Sequence, residues 1–301
     1  MQVKTIKKTI INKLNDWLST INDEELVKEL RKNIVVSGGS ICSMLLQEPV
    51  NDYDVYIKDI DVLKKLVNFY TKDFKEVIKV LDGRLKDTQY KEDQFRKGIL
   101  GCSVRNLKPN QIKLFFEDKN GGFRVNEDVN TSESSVISRK KYIPLFFSPN
   151  AISLSDDIQI VTRFTGSIEE IHETFDFIHA TNYFTFEEGV VTNKKALESI
   201  LCKQLYYQGS HYPLTSIIRI KKFLKKNWNI SAGEQLKIMF DISELALTNP
   251  DVLEEQLIGV DVAYFNILIK AIREKMENDS SFSLTKDYLR ALIDKIFLDE
   301  E

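Results

Sequence analysis

The stretch NIVVSGGSICSMLLQEPVNDYDVYIKD, Asn33 to Asp59, decides the fold. An apolar run ends in Ser37, Gly38, Gly39 and Ser40; a short apolar segment follows, and then Asp52 and Asp54 bracket Tyr53 inside a second apolar run. The order reads as strand, tight turn, short helix, strand. On a strand, residues i and i+2 point to one face, so Asp52 and Asp54 project together. Two carboxylates on one face suit a pair of divalent cations about 3.5–4 Å apart, the arrangement used for in-line phosphoryl transfer. Magnesium prefers carboxylate oxygens and leaves further positions to substrate phosphates. Gly38 and Gly39 let the backbone come close to a ligand. Ser40 then opens a helix, where free N–H groups and its hydroxyl favour an anion such as a triphosphate. Each half alone is weak: SGGS can be only a tight turn, and NDYD an Asx-rich strand start. In this order they set a phosphate cradle beside a metal pair.

Upstream, residues 2 to 32 read as two helices. Ile6, Ile10, Leu14 and Trp17 recur at helical spacing, and NDEELVKELRKN begins with cap-type residues and early acids. Downstream, a helix is expected from about Asp61 to Val80. GILGCSVRN and QIKLFFED read as strands, NEDVNTSESSVISRK (126–140) as a polar loop, and NAISLSDDIQIVTRF as a hairpin turning at Ser-Asp-Asp. From Ile168 onward the pattern is helical, with helices suggested near 194–207, 214–227, 232–248, 261–277 and 284–297. The fold class is therefore α+β: a mixed sheet with flanking helices in a head domain, residues 1–190, followed by an all-α domain, residues 191–301.

The chain of 301 residues has 43% hydrophobic and 29% charged residues and a formal net charge of −3. That balance excludes a global basic field, so any nucleic-acid contact must come from a local patch. One candidate is TSIIRIKKFLKKNW, in which Arg219, Lys221, Lys222, Lys225 and Lys226 occur without an acid, and Ile217, Ile220, Leu224 and Trp228 are expected to form the opposing apolar stripe. No apolar run approaches the roughly 20 residues of a membrane helix. Cys42, Cys102 and Cys202 have no paired spacing and form no zinc pattern with His172, His179 and His211. A reducing, cytoplasmic setting is the simplest expectation.

Gly-Gly-Ser, helix, Asp-x-Asp resembles the polymerase β-type nucleotidyltransferase superfamily, most nearly the head and neck of class II CCA-adding enzymes and bacterial poly(A) polymerases. NAISLSDDIQIVTRF is similar to the hairpin before that family's ribose motif, and IEEIHETFDFIHATNYF to the motif itself, through Asp176, Phe177 and Asn182. YPLTSIIRIKKFLKKNWNI resembles its neck helix through Pro213, Arg219, Lys222, Phe223 and Ile230. The texture also resembles nucleotidyltransferase-like proteins of large tailed phages, which implies a host cytoplasm. The resemblance implies Asp52 and Asp54 as catalytic ligands of Mg2+ or Mn2+. It implies Gly38, Gly39, Ser40, Arg163, Asp176, Asn182, Arg219 and Lys222 as the nucleotide site, an NTP as donor, and an RNA 3′ end, such as that of tRNA, as acceptor. Transfer to a protein or small molecule, and a non-catalytic binding role, are the alternatives. The departures are specific. Gln159 stands where the family has a third carboxylate, with Asp157 at the turn a conceivable substitute. Phe175 replaces an arginine, and Tyr212 and Thr215 replace the charged pair that reads the base.

Overall fold

A computed structural model describes residues 2–84, 109–116, 122–125, 141–249, 252–253, 256, 272–279 and 282–298. The expected strand around GILGCSVRN, the 126–140 loop and most of the 261–277 helix lie outside these residues.

The N-terminal helices form as their spacing requires. Helix α1 (Val3–Leu18) turns Ile6, Ile10, Leu14 and Trp17 into the core, all fully buried. Helix α2 (Glu24–Asn33) starts at Asp23, whose carboxylate accepts the Leu26 N–H, and carries acids in its first turn and bases in its last, which complements the helix dipole. Strand β1 (Ile34–Ser37), helix α3 (Gly39–Leu46), strand β2 (Tyr53–Ile57) and helix α4 (Ile60–Thr71) follow directly. The helix expected from Asp61 to Val80 ends early: a 3₁₀ turn, Lys72–Phe74, leads into β3 (Ile78–Asp82), which pairs with β4 (Ile112–Phe116). The β-branched Val77, Ile78 and Val80 suit a pleated strand better than a helix.

The remaining strands are β5 (Phe123–Arg124), β6 (Pro144–Ser148), β7 (Ala151–Leu154), β8 (Ile158–Val161), β9 (Tyr183–Thr185), β10 (Gly189–Val191), β11 (Gln204–Leu205) and β12 (Asn229–Ile230). Eight strands make one mixed sheet in the order β10-β9-β1-β2-β8-β7-β6-β5. β1 is antiparallel to β2, β2 is parallel to β8, and β7–β8 is the expected hairpin, turning through Asp156 and Asp157, both at positive φ. Alternation splits the sheet cleanly. Ile34, Val36, Val55, Ile57, Ile158, Ile160 and Phe184 face the main core with α1, α2 and α4. The other face bears Val35 and Tyr56, packed on Ile171 of the helix Ile168–His172. Each fully buried aliphatic of that core contributes about 1.5–3 kcal/mol.

Helices Lys194–Cys202, Pro213–Lys225, Ala232–Ser243 and Lys286–Leu298 follow, and residues 272–278 are helical. β11 and β12 add a two-residue parallel pairing among them. The apolar stripe expected on Pro213–Lys225 is rotated. Leu214, Thr215, Ser216 and Ile218 are buried, whereas Ile217 and Leu224 are 44% and 50% exposed. Local spacing allows several apolar faces on this helix; the tertiary neighbours chose another one.

Trp17 Nε1–H donates to the Tyr70 hydroxyl at 2.8 Å inside the core. Tyr70→Phe leaves that indole N–H buried and unpaired, so we expect a loss of about 1–3 kcal/mol in urea unfolding. A loss under about 0.5 kcal/mol would show that the bond is replaced.

Candidate active site

The site is built where β1 hands over to α3. Gly38 adopts φ +95°, a region L-residues rarely enter. A Cβ there would stand 2.9 Å from Asp54 Oδ2, whereas a Cβ on Gly39 would meet nothing within 4 Å. Gly38 thus lets a carboxylate press against the start of α3, and Gly39 leaves the space above open. Ser40 follows at 2% exposure, with its Oγ buried and without a hydrogen-bond partner. Such an orphan in a helix's first turn fits an anionic ligand.

Charge is concentrated beside this turn. Asp54 has its pKa pushed up to about 7, first by burial and then by the Asp52 charge, with Arg219 pulling it back. Asp52 is raised by burial and by Asp157. Arg219 reaches in from the helix Pro213–Lys225, its Nη1 donating to Asp176 Oδ2 at 2.8 Å. Asp176 is buried, and the pair explains how a carboxylate sits within an aromatic run. Tyr56, two residues beyond Asp54 on the same face, feels Asp54, Arg219, Asp176 and Asp52, and its phenol is held well above the ordinary range, by burial first. Sequence reading missed Tyr56, although its i+2 spacing from Asp54 is a signal.

The other expected residues lie elsewhere in the fold. Arg163 is buried, with its guanidinium 3.9 Å from the centre of the Tyr212 ring. Asn182 is fully buried, and its Oδ1 accepts the Asn193 N–H at 2.9 Å. Lys222 is exposed. Neither Arg163 nor Lys222 is among the charges that shift Asp52 or Asp54. Thr215 is buried and donates to the Gln256 carbonyl, so with Tyr212 on Arg163 neither replacement presents a charged edge to a base. In the parallel β2–β8 register Gln159 lies directly beside Asp54.

Comparison with known proteins gives the chain its place. A family model described as Gabija anti-defense 2 family protein matches residues 8–203. The chain belongs to the Gabija anti-defense 2 family. It is 21% identical over 299 residues to Gabija anti-defense 2 of Bacillus phage SPbetaL7, covering 96% of this chain and 58% of that protein. The chain therefore spans less than two thirds of its curated relative. Solved structures similar to it include the Bacillus stearothermophilus CCA-adding enzyme in complex with CTP, at 10% identity and TM-score 0.40, over 86% of this chain and 52% of that one. A tRNA-processing enzyme in an apo form matches at 13% and 0.38, over 96% and 66%. The Thermotoga maritima CCA-adding enzyme complexed with tRNA matches at 11% and 0.36, over 87% and 53%. The curated relative is a phage protein, which accords with the phage resemblance. No helix among the described residues is long and apolar enough to cross a membrane.

Two histidines flank the site. His172 Nε2 lies 2.9 Å from Ser37 Oγ, the residue before Gly38. His179 is buried against Phe223 and Trp228, at 4.6 and 4.8 Å between ring centroids. Burial lowers both pKa values to about 4. A histidine held neutral by the fold loses none of its contribution above its unfolded pKa of about 6.5. As pH falls from there toward about 4, the unfolded chain takes up protons that the folded chain refuses, so stability declines. Asp54, with its raised pKa, works in the opposite direction over part of this range. We expect His179→Gln to flatten the fall in urea-unfolding free energy between pH 6.5 and 5 relative to the parent chain, by up to about 1.4 kcal/mol per pH unit. Parallel curves for the two proteins would show that His179 is protonated equally in both states.

Proposed function

We propose that this protein is a metal-dependent nucleotidyltransferase that moves a nucleoside monophosphate from an NTP to an acceptor hydroxyl. The observation that carries this reading is the approach of Asp54 Oδ2 to within 2.9 Å of where a Gly38 Cβ would be. It sets a metal-type carboxylate against the anion-binding end of α3 and the unpartnered Ser40 hydroxyl. Residues 1–190 would carry the chemistry and residues 191–301 would form the helical neck and body.

In this reading Gly38, Gly39 and Ser40 cradle the phosphates, and Asp52 and Asp54 are the ligands for Mg2+ or Mn2+. The donor set fits a hard, oxygen-seeking cation. Such an ion supplies positive charge to the triphosphate and to the leaving group. Arg219, aimed by Asp176, adds a fixed positive charge, with Lys222 further along the same helix. The acceptor oxygen bonds to the α-phosphorus, the bond from that phosphorus to the bridging oxygen breaks, pyrophosphate leaves, and the acceptor's proton passes to solvent. With Tyr212 and Thr215 otherwise engaged, discrimination among NTPs is expected to be weak.

The resemblance favours an RNA 3′ end, such as that of tRNA, as the acceptor. A second reading, transfer to a protein, is favoured by two observations. The family is described as anti-defense, and the helices Pro213–Lys225 and Ala232–Ser243 expose Ile217, Leu224, Leu236, Met239 and Phe240, side chains better suited to a protein surface than to a phosphate backbone. Incubation of a radiolabelled NTP with total RNA and total protein separates the two by where the label goes.

Asp54→Asn keeps shape and one oxygen but removes a charge from the metal pair. We expect NTP binding that requires Mg2+ or Mn2+, and at least a 10³-fold loss of transfer in the variant, about 4 kcal/mol of barrier. The unligated melting temperature should hold or rise, because repulsion with Asp52 is relieved. Transfer within tenfold of the parent in both Asp54→Asn and Asp52→Asn would move the chemistry elsewhere.

A further inference from the structure

Antiparallel pairing of Val36 with Val55 puts Ser37 next to Asp54, and the parallel register puts Asp54 next to Gln159. Side chains in register point to the same face, so the row across β1, β2 and β8 reads hydroxyl, carboxylate, amide. A paired-metal site needs more than that. An ion on the leaving-group side could draw its ligands largely from the triphosphate, whereas a second ion on the acceptor side would depend more on protein carboxylates.

On β8 that carboxylate is missing. Gln159 is neutral, and its Nε2 lies 3.4 Å from Ser153 Oγ. Asp157, the nearest acid on this strand, sits in the left-handed turn at φ 60° with its side chain 60% exposed. Its Oδ2 lies 3.7 Å from Lys13 Nζ. That ammonium also stands 5.4 Å from the centre of the Tyr53 ring, and Tyr53 belongs to the opposite face of the sheet. Asp157 is thus drawn toward Lys13; its charge is felt by Asp52 but is not among those that shift Asp54. Among the described residues no group of three or more His, Cys, Asp or Glu is placed to hold a metal ion.

We infer that this site takes one divalent ion, carried in with the phosphates of an NTP, and lacks the acceptor-side ion because Gln159 occupies its ligand position. This rests on the nucleotidyltransferase reading and sharpens it: the substrate is an NTP–metal complex, bound firmly and turned over slowly. Nothing on β8 then helps to ionise the acceptor hydroxyl.

Mn2+ binding followed by electron paramagnetic resonance tests this on the full chain with α,β-methylene-ATP, which cannot be cleaved. We expect one Mn2+ per chain, two with the paired-spin signature in Gln159→Glu or Gln159→Asp, and one in Asp157→Asn. Transfer from ATP should rise at least tenfold in the carboxylate variants, whose melting temperatures report whether they fold. Two Mn2+ in the parent chain would overturn the inference, as would one in both carboxylate variants when they are folded. A parent chain with two ions that falls to one in Asp157→Asn would assign the missing ligand to Asp157 and overturn it as well. No nucleotide-dependent Mn2+ at all would instead overturn the nucleotidyltransferase reading itself.

Discussion

The close passage of the Gly38 backbone by the Asp54 carboxylate is the constraint around which the rest of the site is arranged. Any side chain at Gly38 would meet Asp54 Oδ2 at 2.9 Å, and φ +95° is costly for every residue but glycine. The two strands must therefore be antiparallel neighbours whose ends coincide, as the β1–β2 register provides. The shortness of α3 serves the same end. Gln47 adopts the left-handed conformation and closes the helix at once, so the chain returns to β2 in time to set Asp54 against the Gly38 turn.

Arg219 ties this arrangement to the helices that follow. Its partner Asp176 lies between the 168–172 helix and the 3₁₀ turn Ile178–Ala180, and the Ala180 carbonyl in turn accepts the Gly38 N–H at 3.0 Å. Ser37 is held by the same segment, with its Oγ within reach of the Ala180 and Asn182 carbonyls and of His172. The cradle is thus fixed from below by the sheet and from the side by one loop, and that loop also aims the cation. A shift of Pro213–Lys225 would carry Arg219 with it and change the charge felt by Asp54 without touching the strands.

Much of this was legible in the sequence, for reasons that differ from element to element. Ile6, Ile10, Leu14 and Trp17 were readable because a helix packed on one side repeats its apolar residues at 3.6. Asp54 and Tyr56 share a face because a strand repeats at 2, a spacing that can be read in the sequence. The hairpin through Asp156 and Asp157 announced itself by its turn residues. The buried face of Pro213–Lys225 was not legible, because Ile217, Ile218, Ile220 and Leu224 offer more than one apolar stripe and only the packed neighbours choose among them. The His172–Ser37 contact spans 135 residues of chain and leaves no local trace. The position of Gln159 could be suspected from resemblance, but its place beside Asp54 is a matter of strand register, which belongs to the sheet and not to the segment.

The amide at position 159 can also be understood from the electrostatics of the unloaded protein. Like charge already raises the cost of ionisation here: burial comes first for both acids, followed by Asp52 for Asp54 and by Asp157 for Asp52. Among the described residues Arg219 is the cation that lowers Asp54, and it is shared with Asp176. A further carboxylate in register beside Asp54 would have no counter-charge until metal arrived, and like charges that close push one pKa sharply upward. A neutral side chain there spares the folded state that repulsion. The neutral amide of Gln159 beside Asp54 therefore favours the folded state at this point of the sheet.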